Sequence, residues 1–266
     1  MSDFLSTAVS EARLDEEARS METPIEVLRP MALGRSPHRS LLEAIGKGTG
    51  EVRLLAEVKR ASPSRGTIRA DLDVAATARA YEKGGASAIS VLTEPRRFGG
   101  SLEDLARARE AAGLPILRKD FVVTAYGVYE AAARGADAVL LIAAAAPLHE
   151  LEECISASIE TGLDVLFEVI DEEDVRKALH LEPPIVGVNA RDLRTLAMDP
   201  DRHARLRDRL PASSAAVAES GIRTFEDLER VRALGYDAAL VGEVLSGARD
   251  PEAAVRALLR AKGGRR

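Results

Sequence analysis

A chain of 266 residues can bury a large core but leaves little beyond one barrel of about 250 residues, so a second full domain is not expected. A net charge of -6, 3% aromatic residues and no tryptophan argue against a nucleic-acid or anionic-membrane partner. The only cysteine, Cys154, excludes an internal disulfide and a zinc site built from several thiolates.

No signal-peptide pattern opens the chain and no apolar run reaches about 18 residues, so the expected compartment is the cytoplasm. From Phe4 to Ile45 the sequence reads as helical pieces broken at Pro24, Pro30 and Pro37. From Val52 a regular rhythm begins. Strand-like apolar runs stand at Val52–Val58, Ala86–Leu92, Pro115–Leu117, Ala138–Ile142, Val165–Val169, Ile185–Val188, Ala215–Ala218 and Ala238–Val241. Helical patterns follow them at Leu72–Lys83, Leu102–Ala112, Ala125–Arg134, Leu148–Thr161, Glu172–Leu179, Arg202–Leu210, Phe225–Leu234 and Pro251–Leu259.

Eight strand–helix units can close a parallel sheet without edges. The expected fold class is therefore α/β, a (β/α)8 TIM barrel forming one domain over residues 1–266, with residues 1–50 as an N-terminal helical extension. Gly84-Gly85-Ala86, Gly135-Ala136-Asp137-Ala138 and Gly235-Tyr236-Asp237-Ala238 stand at helix-to-strand junctions, where glycine caps the helix; the echo fits a reused turn or an internal duplication. The glycine turn Ser64-Arg65-Gly66 carries neither a dinucleotide fingerprint nor a P-loop.

Several apolar runs end in polar residues on the side that faces the active site of a barrel: Glu57 and Lys59, Lys119, Glu168, Asn189 and Glu219. Isolated charges in such places are costly unless paired. Glu57 and Lys59 are two apart and share a face, as do Leu117 and Lys119. Lys119 is the leading candidate for a general acid and Glu168 for a proton acceptor or a stabiliser of positive charge. Whether nearby carboxylates or burial would dominate the lysine is open at this level. After the last two strands, Glu219-Ser220-Gly221 and Val241-Gly242-Glu243 make a loop pair suited to a phosphate, with Arg191 as a forked donor.

His38, His149, His180 and His203 are scattered away from strand ends, so each is expected to be solvated and no metal is expected. Cys154 lies in a helical pattern and reads as a packed thiol. The charge alternations from Glu103-Asp104 to Arg109-Glu110 and from Asp171 to Lys177 read as solvated outer helix faces. Those faces define no interface, and a monomer or weak homodimer is expected.

Taken in order, Ala56-Glu57-Val58-Lys59-Arg60-Ala61-Ser62-Pro63-Ser64, Phe98-Gly99-Gly100-Ser101, Leu117-Arg118-Lys119-Asp120-Phe121, Phe167-Glu168-Val169, Val188-Asn189-Ala190-Arg191-Asp192-Leu193, Glu219-Ser220-Gly221 and Val241-Gly242-Glu243 resemble the indole-3-glycerol phosphate synthase family of tryptophan biosynthesis. The resemblance runs from about residue 50 to the end, while the first 45 residues match poorly.

The resemblance implies a TIM barrel that converts a phosphorylated small molecule, 1-(2-carboxyphenylamino)-1-deoxyribulose 5-phosphate, into indole-3-glycerol phosphate with loss of carbon dioxide and water and without a cofactor. It assigns Lys119 as general acid and Glu168 as base for dehydration. Glu57 and Lys59 match the pair around the anthranilate and carboxylate region, with Lys59 able also to reach the phosphate side, and Asn189 and Glu219 match positions that orient hydroxyls and stabilise a cationic intermediate. Ser62 and Arg191 match anion contacts, Ser220, Gly221, Gly242 and Glu243 the phosphate-side loops, and Phe98 and Phe121 the wall around the aryl group. It also implies a covering helix, for which Leu14 to Val27 is the candidate up to Pro24. Ile170, Ala190 and Gly127 depart from residues common in the family: a histidine, an asparagine and a glutamine. Two other readings compete: a phosphosugar isomerase on the same barrel, which would need a cysteine and an aspartate at strand ends and is opposed by Cys154 in a helical pattern, and a non-catalytic barrel acting as a sensor, which the intact set of Lys119, Glu168 and Glu57 disfavours.

Overall fold

Short, near-continuous apolar runs rich in β-branched residues and alanine favour strands buried on both faces, and each run predicted above forms one strand of a closed parallel barrel. The computed structural model describes residues 3–35 and 38–260, so the expected break at Pro37 lies outside the described residues. The chain opens with α1 (Phe4–Glu22), α2 (Ile25–Leu33) and α3 (Leu41–Ile45) and enters the barrel with β1 (Arg53–Val58). A small antiparallel hairpin, β2 (Ala61–Ser62) and β3 (Gly66–Thr67), precedes α4 (Val74–Gly84). Next come β4 (Ala88–Leu92), the single turn α5 (Pro95–Phe98) and α6 (Leu102–Ala111). Regular units follow as β5 (Ile116–Lys119) and α7 (Ala125–Ala133), β6 (Ala138–Ile142) and α8 (Leu148–Thr161), and β7 (Asp164–Val169) and α9 (Glu172–Leu181). They continue as β8 (Ile185–Asn189) and α10 (Arg202–Arg207), and β9 (Ala215–Glu219) and α11 (Phe225–Ala233). Finally β10 (Ala238–Val241) leads through α12 (Glu243–Ser246) to α13 (Pro251–Leu259). β1 pairs with both β4 and β10, which closes the ring.

Strand parity divides the core in two. Leu55, Leu117, Leu140, Leu166, Ile185, Val217 and Leu240 fill the barrel interior, while Leu54, Ile116, Val139, Phe167 and Val186 face the helical layer. Each such buried side chain contributes roughly 1.5–3 kcal/mol. Below the barrel, α3 adds Leu41 and Ile45 to the interior cluster; above it, α1 adds Leu5 and Ala8. Further out along the inward-facing rows stand the polar residues Glu57, Lys119, Glu168 and Glu219, and, beyond Gly187 on β8, Asn189.

The echoed Gly-x-Asp-Ala junctions do one repeated job. Asp137 Oδ2 accepts the Ile116 N–H at 3.0 Å and Asp237 Oδ2 accepts the Ala216 N–H at 2.8 Å, so each aspartate stitches its strand to the preceding one at the base of the barrel. Their other oxygens accept Arg39 N–H and Gly48 N–H, which anchor the segment around α3 under the barrel floor.

Four expectations are corrected. First, α2 runs through Pro30 rather than breaking there. Pro30 and Glu26, whose carbonyl loses its donor, are exposed to water, while Leu28 and Ala32 are buried in the core layer beside α7. Second, the covering helix starts at Phe4, capped by Asp3, and ends before Pro24, so it lies ten residues upstream of the expected start. Third, the charged helix faces are not wholly solvated. Asp104 is buried against the Arg60 guanidinium, Arg109 pairs with Asp137, Asp174 accepts the Ile170 N–H at 3.0 Å, and Lys177 donates to the Ala143 carbonyl at 2.6 Å. Fourth, His203 is buried. Short α10 lies across the ends of β8 and β9, and His203 Nε2 sits 3.0 Å from the Glu219 carbonyl and 3.2 Å from that of Val188, with Tyr236 edge-on to the ring. Burial holds its pKa below the usual histidine value despite these backbone partners. His38, His149 and His180 are exposed, as expected.

Candidate active site

The ends of the strands deliver their polar side chains into one mouth. Lys59 Nζ lies 2.7 Å from Glu57 Oε1, the same-face pair read from parity. Lys119 Nζ lies 2.6 Å from Glu219 Oε2 and 3.3 Å from Glu168 Oε2, so it is shared between carboxylates from β7 and β9. All three glutamates are buried, at 1–4% exposure, which makes their interactions strong and their desolvation costly.

The competition between burial and carboxylates at Lys119 is thereby decided. Burial alone would lower its pKa, but Glu219, Glu168 and Glu57 outweigh burial and hold the ammonium above the ordinary lysine value. Glu219 is pushed upward by burial, with Glu168 and Glu57 adding to the rise against the opposing pull of Lys119. Glu219 is thereby disposed to keep its proton beside the Lys119 ammonium. The second oxygens of Glu168 and Glu219 have no hydrogen-bond partner among the described residues. Such acceptors are positioned for donors on a ligand.

Two glycines make room for this cluster. A Cβ at Gly187 on β8 would overlap the Glu219 carboxylate, and one at Gly242 would overlap Glu57 and come within 2.8 Å of Lys59 Nζ. Gly242 thus serves the acid–base pair as well as the loop pair expected of it.

Backbone clamps hold the strand ends from behind. Tyr81 and Ser246 hydroxyls both donate to the Glu57 carbonyl, at 3.2 and 2.8 Å. Arg202 Nη1 donates to the Asn189 carbonyl at 2.8 Å, next to the His203 contact with the Glu219 carbonyl. Asn189 Oδ1 accepts the Arg191 N–H at 2.9 Å, which fixes the amide plane, and Arg191 Nη1 donates to the Leu196 carbonyl at 3.0 Å.

The mouth has two connected parts. An open cleft of about 900 Å³ is lined by Glu57, Lys59, Ser62, Ser64, Arg191, Glu219, Ser220, Gly221, Gly242 and Glu243. An adjoining space of about 340 Å³ is largely apolar, walled by Leu92, Phe98, Phe121, Leu140, Ile142 and Leu193, with Glu168 at its edge. Lys119, Asn189 and Phe98 border both. Every candidate site residue named from the sequence therefore reaches this mouth. Ser220 and Gly221 both adopt left-handed backbone, φ 65° and 77°, and Ser220 does so without glycine's freedom.

Sequence reasoning missed Phe4, which lines the cleft and packs edge-on to Phe121 at 6.3 Å between ring centres, and it missed Arg223 in the loop after β9. It also missed the clamps of Tyr81, Ser246, Arg202 and His203. These act through carbonyls, a role open to many residue types and so without a sequence signature. An apolar staple between Phe4 and Phe121 is equally silent in sequence, because the partners are 117 positions apart (121 minus 4).

Among the described residues no group of three or more His, Cys, Asp or Glu side chains is placed to hold a metal ion, and no helix is long and apolar enough to cross a membrane. The profile of the indole-3-glycerol phosphate synthase family matches residues 5–258, so the match includes the N-terminal helices as well as the stretch from about residue 50 that carries the motifs. The chain is 44% identical over 254 residues to an indole-3-glycerol phosphate synthase from Mycolicibacterium vanbaalenii, covering 96% of this chain and 88% of that one. It is 44% identical over 257 residues to indole-3-glycerol phosphate synthase 1 from Streptomyces coelicolor, covering 97% and 95%. A thiamine phosphate pyrophosphorylase structure from Pyrococcus furiosus superposes with a TM-score of 0.56 over 80% of this chain and 98% of that one; at 19% identity it speaks to the fold alone. With the barrel, the mouth and these relatives in agreement, the chain belongs to the indole-3-glycerol phosphate synthase family.

Proposed function

We propose that the protein closes the indole ring of 1-(2-carboxyphenylamino)-1-deoxyribulose 5-phosphate without a cofactor, releasing carbon dioxide and water to give indole-3-glycerol phosphate. The observation that carries this reading is the position of Lys119, a charged ammonium at the border between an apolar space and a polar cleft. A ligand with an aryl group at one end and a phosphate at the other spans those two parts, and its carbonyl falls between them.

In this reading Phe98, Phe121 and Leu193 enclose the aryl group, and Ser220, Gly221, Gly242 and Glu243 hold the phosphate end through their loop backbones. Folding the two ends together gives a positioning gain of several kcal/mol. Lys119 donates a proton to the carbonyl oxygen as the carboxylate-bearing ring carbon attacks the carbonyl carbon. Glu57 and Lys59 hold the carboxylate region, and breaking its carbon–carbon bond returns the electron pair to the ring as carbon dioxide leaves. Glu168 then removes the proton whose loss completes the pyrrole, while the departing hydroxyl takes a proton from a lysine ammonium of the mouth and leaves as water. Glu219 and Asn189 orient the hydroxyls, and the carboxylates stabilise the transient positive charge.

Cys154 supports this reading over an isomerase that would need a strand-end cysteine. It is buried in α8 and burial pushes its thiol up to about 12. The test is incubation of purified protein with the substrate in the presence of a chelator. Indole fluorescence should rise, against little protein background because the chain has no tryptophan. Ligand binding without any indole product would instead establish the sensor.

A further inference from the structure

Glu243 opens α12 at the polar end of the cleft, and its carboxylate is held by two arginines from different loops. Arg65, in the turn of the β2–β3 hairpin, places Nε 2.5 Å from Glu243 Oε1. Arg223, three residues beyond the Ser220 turn, places Nη2 3.3 Å from the same oxygen. Both guanidinium groups are more than half exposed, at 57% and 63%. Ion pairs so exposed add little to stability, about 0–1 kcal/mol each, so bracing alone does not account for two of them converging on one oxygen.

One carboxylate between two guanidinium groups leaves a net positive rim. Ser64 adjoins Arg65 in sequence and lines the cleft, as do Ser220, Gly221 and Arg223 itself. A phosphate monoester carries up to two negative charges and three acceptor oxygens, and it binds guanidinium forks more strongly than one carboxylate oxygen does.

We propose that Arg65 and Arg223 are exchangeable phosphate ligands. They rest on Glu243 and transfer to the substrate's phosphate as it enters. Glu243 competes with the phosphate and thereby sets its affinity. The assignment of this end to a phosphate rests on the function proposed above.

Removing opposite sides of the contact should have opposite effects, whereas a merely bracing ion pair would respond alike from either side. The measurements are calorimetric affinity for inorganic phosphate at constant ionic strength, which needs no turnover, and steady-state kinetics with the substrate. The double variant R65Q/R223Q should weaken phosphate binding and raise KM by about tenfold, with kcat changed less than about twofold. E243Q should tighten phosphate binding by roughly threefold, and this gain should vanish in the R65Q/R223Q background, as a coupled network requires. Unchanged phosphate affinity in R65Q/R223Q, or a gain from E243Q that persists without the arginines, would overturn the proposal. Wild-type protein that binds phosphate in this manner but forms no indole product would sink the proposed reaction while leaving the exchange intact.

Discussion

At Gly187 the missing side chain is as consequential as any present one, because the Glu219 carboxylate occupies the space a Cβ would take. Gly187→Ala must move that carboxylate or the strand. Displacements of this kind at a reacting centre cost on the order of 10²-fold in rate, so kcat for Gly187→Ala should fall by about that factor. Steady-state kinetics alongside circular dichroism checks it: a folded variant with wild-type kcat would contradict the role given to Glu219's position. At this scale sequence was informative where chemistry and strand parity coincide. Glu57 with Lys59, and Lys119, could be placed because residues two apart share a face. The partners of Lys119 come from strands 49 and 100 positions away, and spacing says nothing about them. The need for glycine at 187 arises from another strand's side chain, so it too was illegible.

Among the elements, α1 is the one whose function depends most on how it docks. Its polar ties run to the loops and helices around the mouth: Arg19 to Glu130 at 2.6 Å, Glu11 to Arg97 at 2.6 Å, and Asp15 and Arg13 to Arg96 and Glu150. Beneath them Glu16 is buried, bonded to the Thr124 hydroxyl at 2.6 Å, in the space a side chain at position 127 would need. Gly127, where the resemblance implies a glutamine, is thus matched by a carboxyl arriving from α1.

Burial raises Glu16 from the ordinary 4.5 to about 7, against the pull of Thr124, Arg118 and Arg19. The folded protein therefore retains a proton that the unfolded chain begins to lose near pH 4.5. The resulting destabilisation grows as pH rises from 4.5 to about 7, on the order of 3 kcal/mol in full, and stays constant above. Glu16→Gln should raise the melting temperature at pH 8 by several degrees and have little effect near pH 4.5. An equal shift at both values would contradict the buried, protonated carboxyl. Deleting residues 1–23 should leave the barrel folded, since all barrel strand pairing lies beyond residue 52. Loss of the Phe4 and Leu5 cover, worth about 1.5–3 kcal/mol per side chain, should raise KM tenfold or more. Unaltered KM in the truncated protein would remove α1 from the site. The start of α1 was hidden because its apolar stripe is narrow: only Leu5, Ala8 and Glu16 are buried along 19 residues.

For the whole molecule, eight repeats of strand and helix were legible because burial on both faces leaves each strand a short apolar run between glycine junctions. The closure of the ring between β1 and β10 is what turns that count into one mouth with acid, base and apolar wall on a common rim. Helix faces were less legible, since Asp104, Asp174 and Lys177 turn inward to meet partners that no helical periodicity reveals.

In the proposed reaction, ring closure starts with proton donation by Lys119. The most direct test compares wild-type protein with Lys119→Met for formation of indole-3-glycerol phosphate at saturating substrate, with the melting transition recorded for both. A cooperative melt in both proteins, together with product formation by the wild type and a loss of about 10³-fold in kcat in the variant, is the predicted result. Near-wild-type turnover by a folded Lys119→Met protein would contradict it.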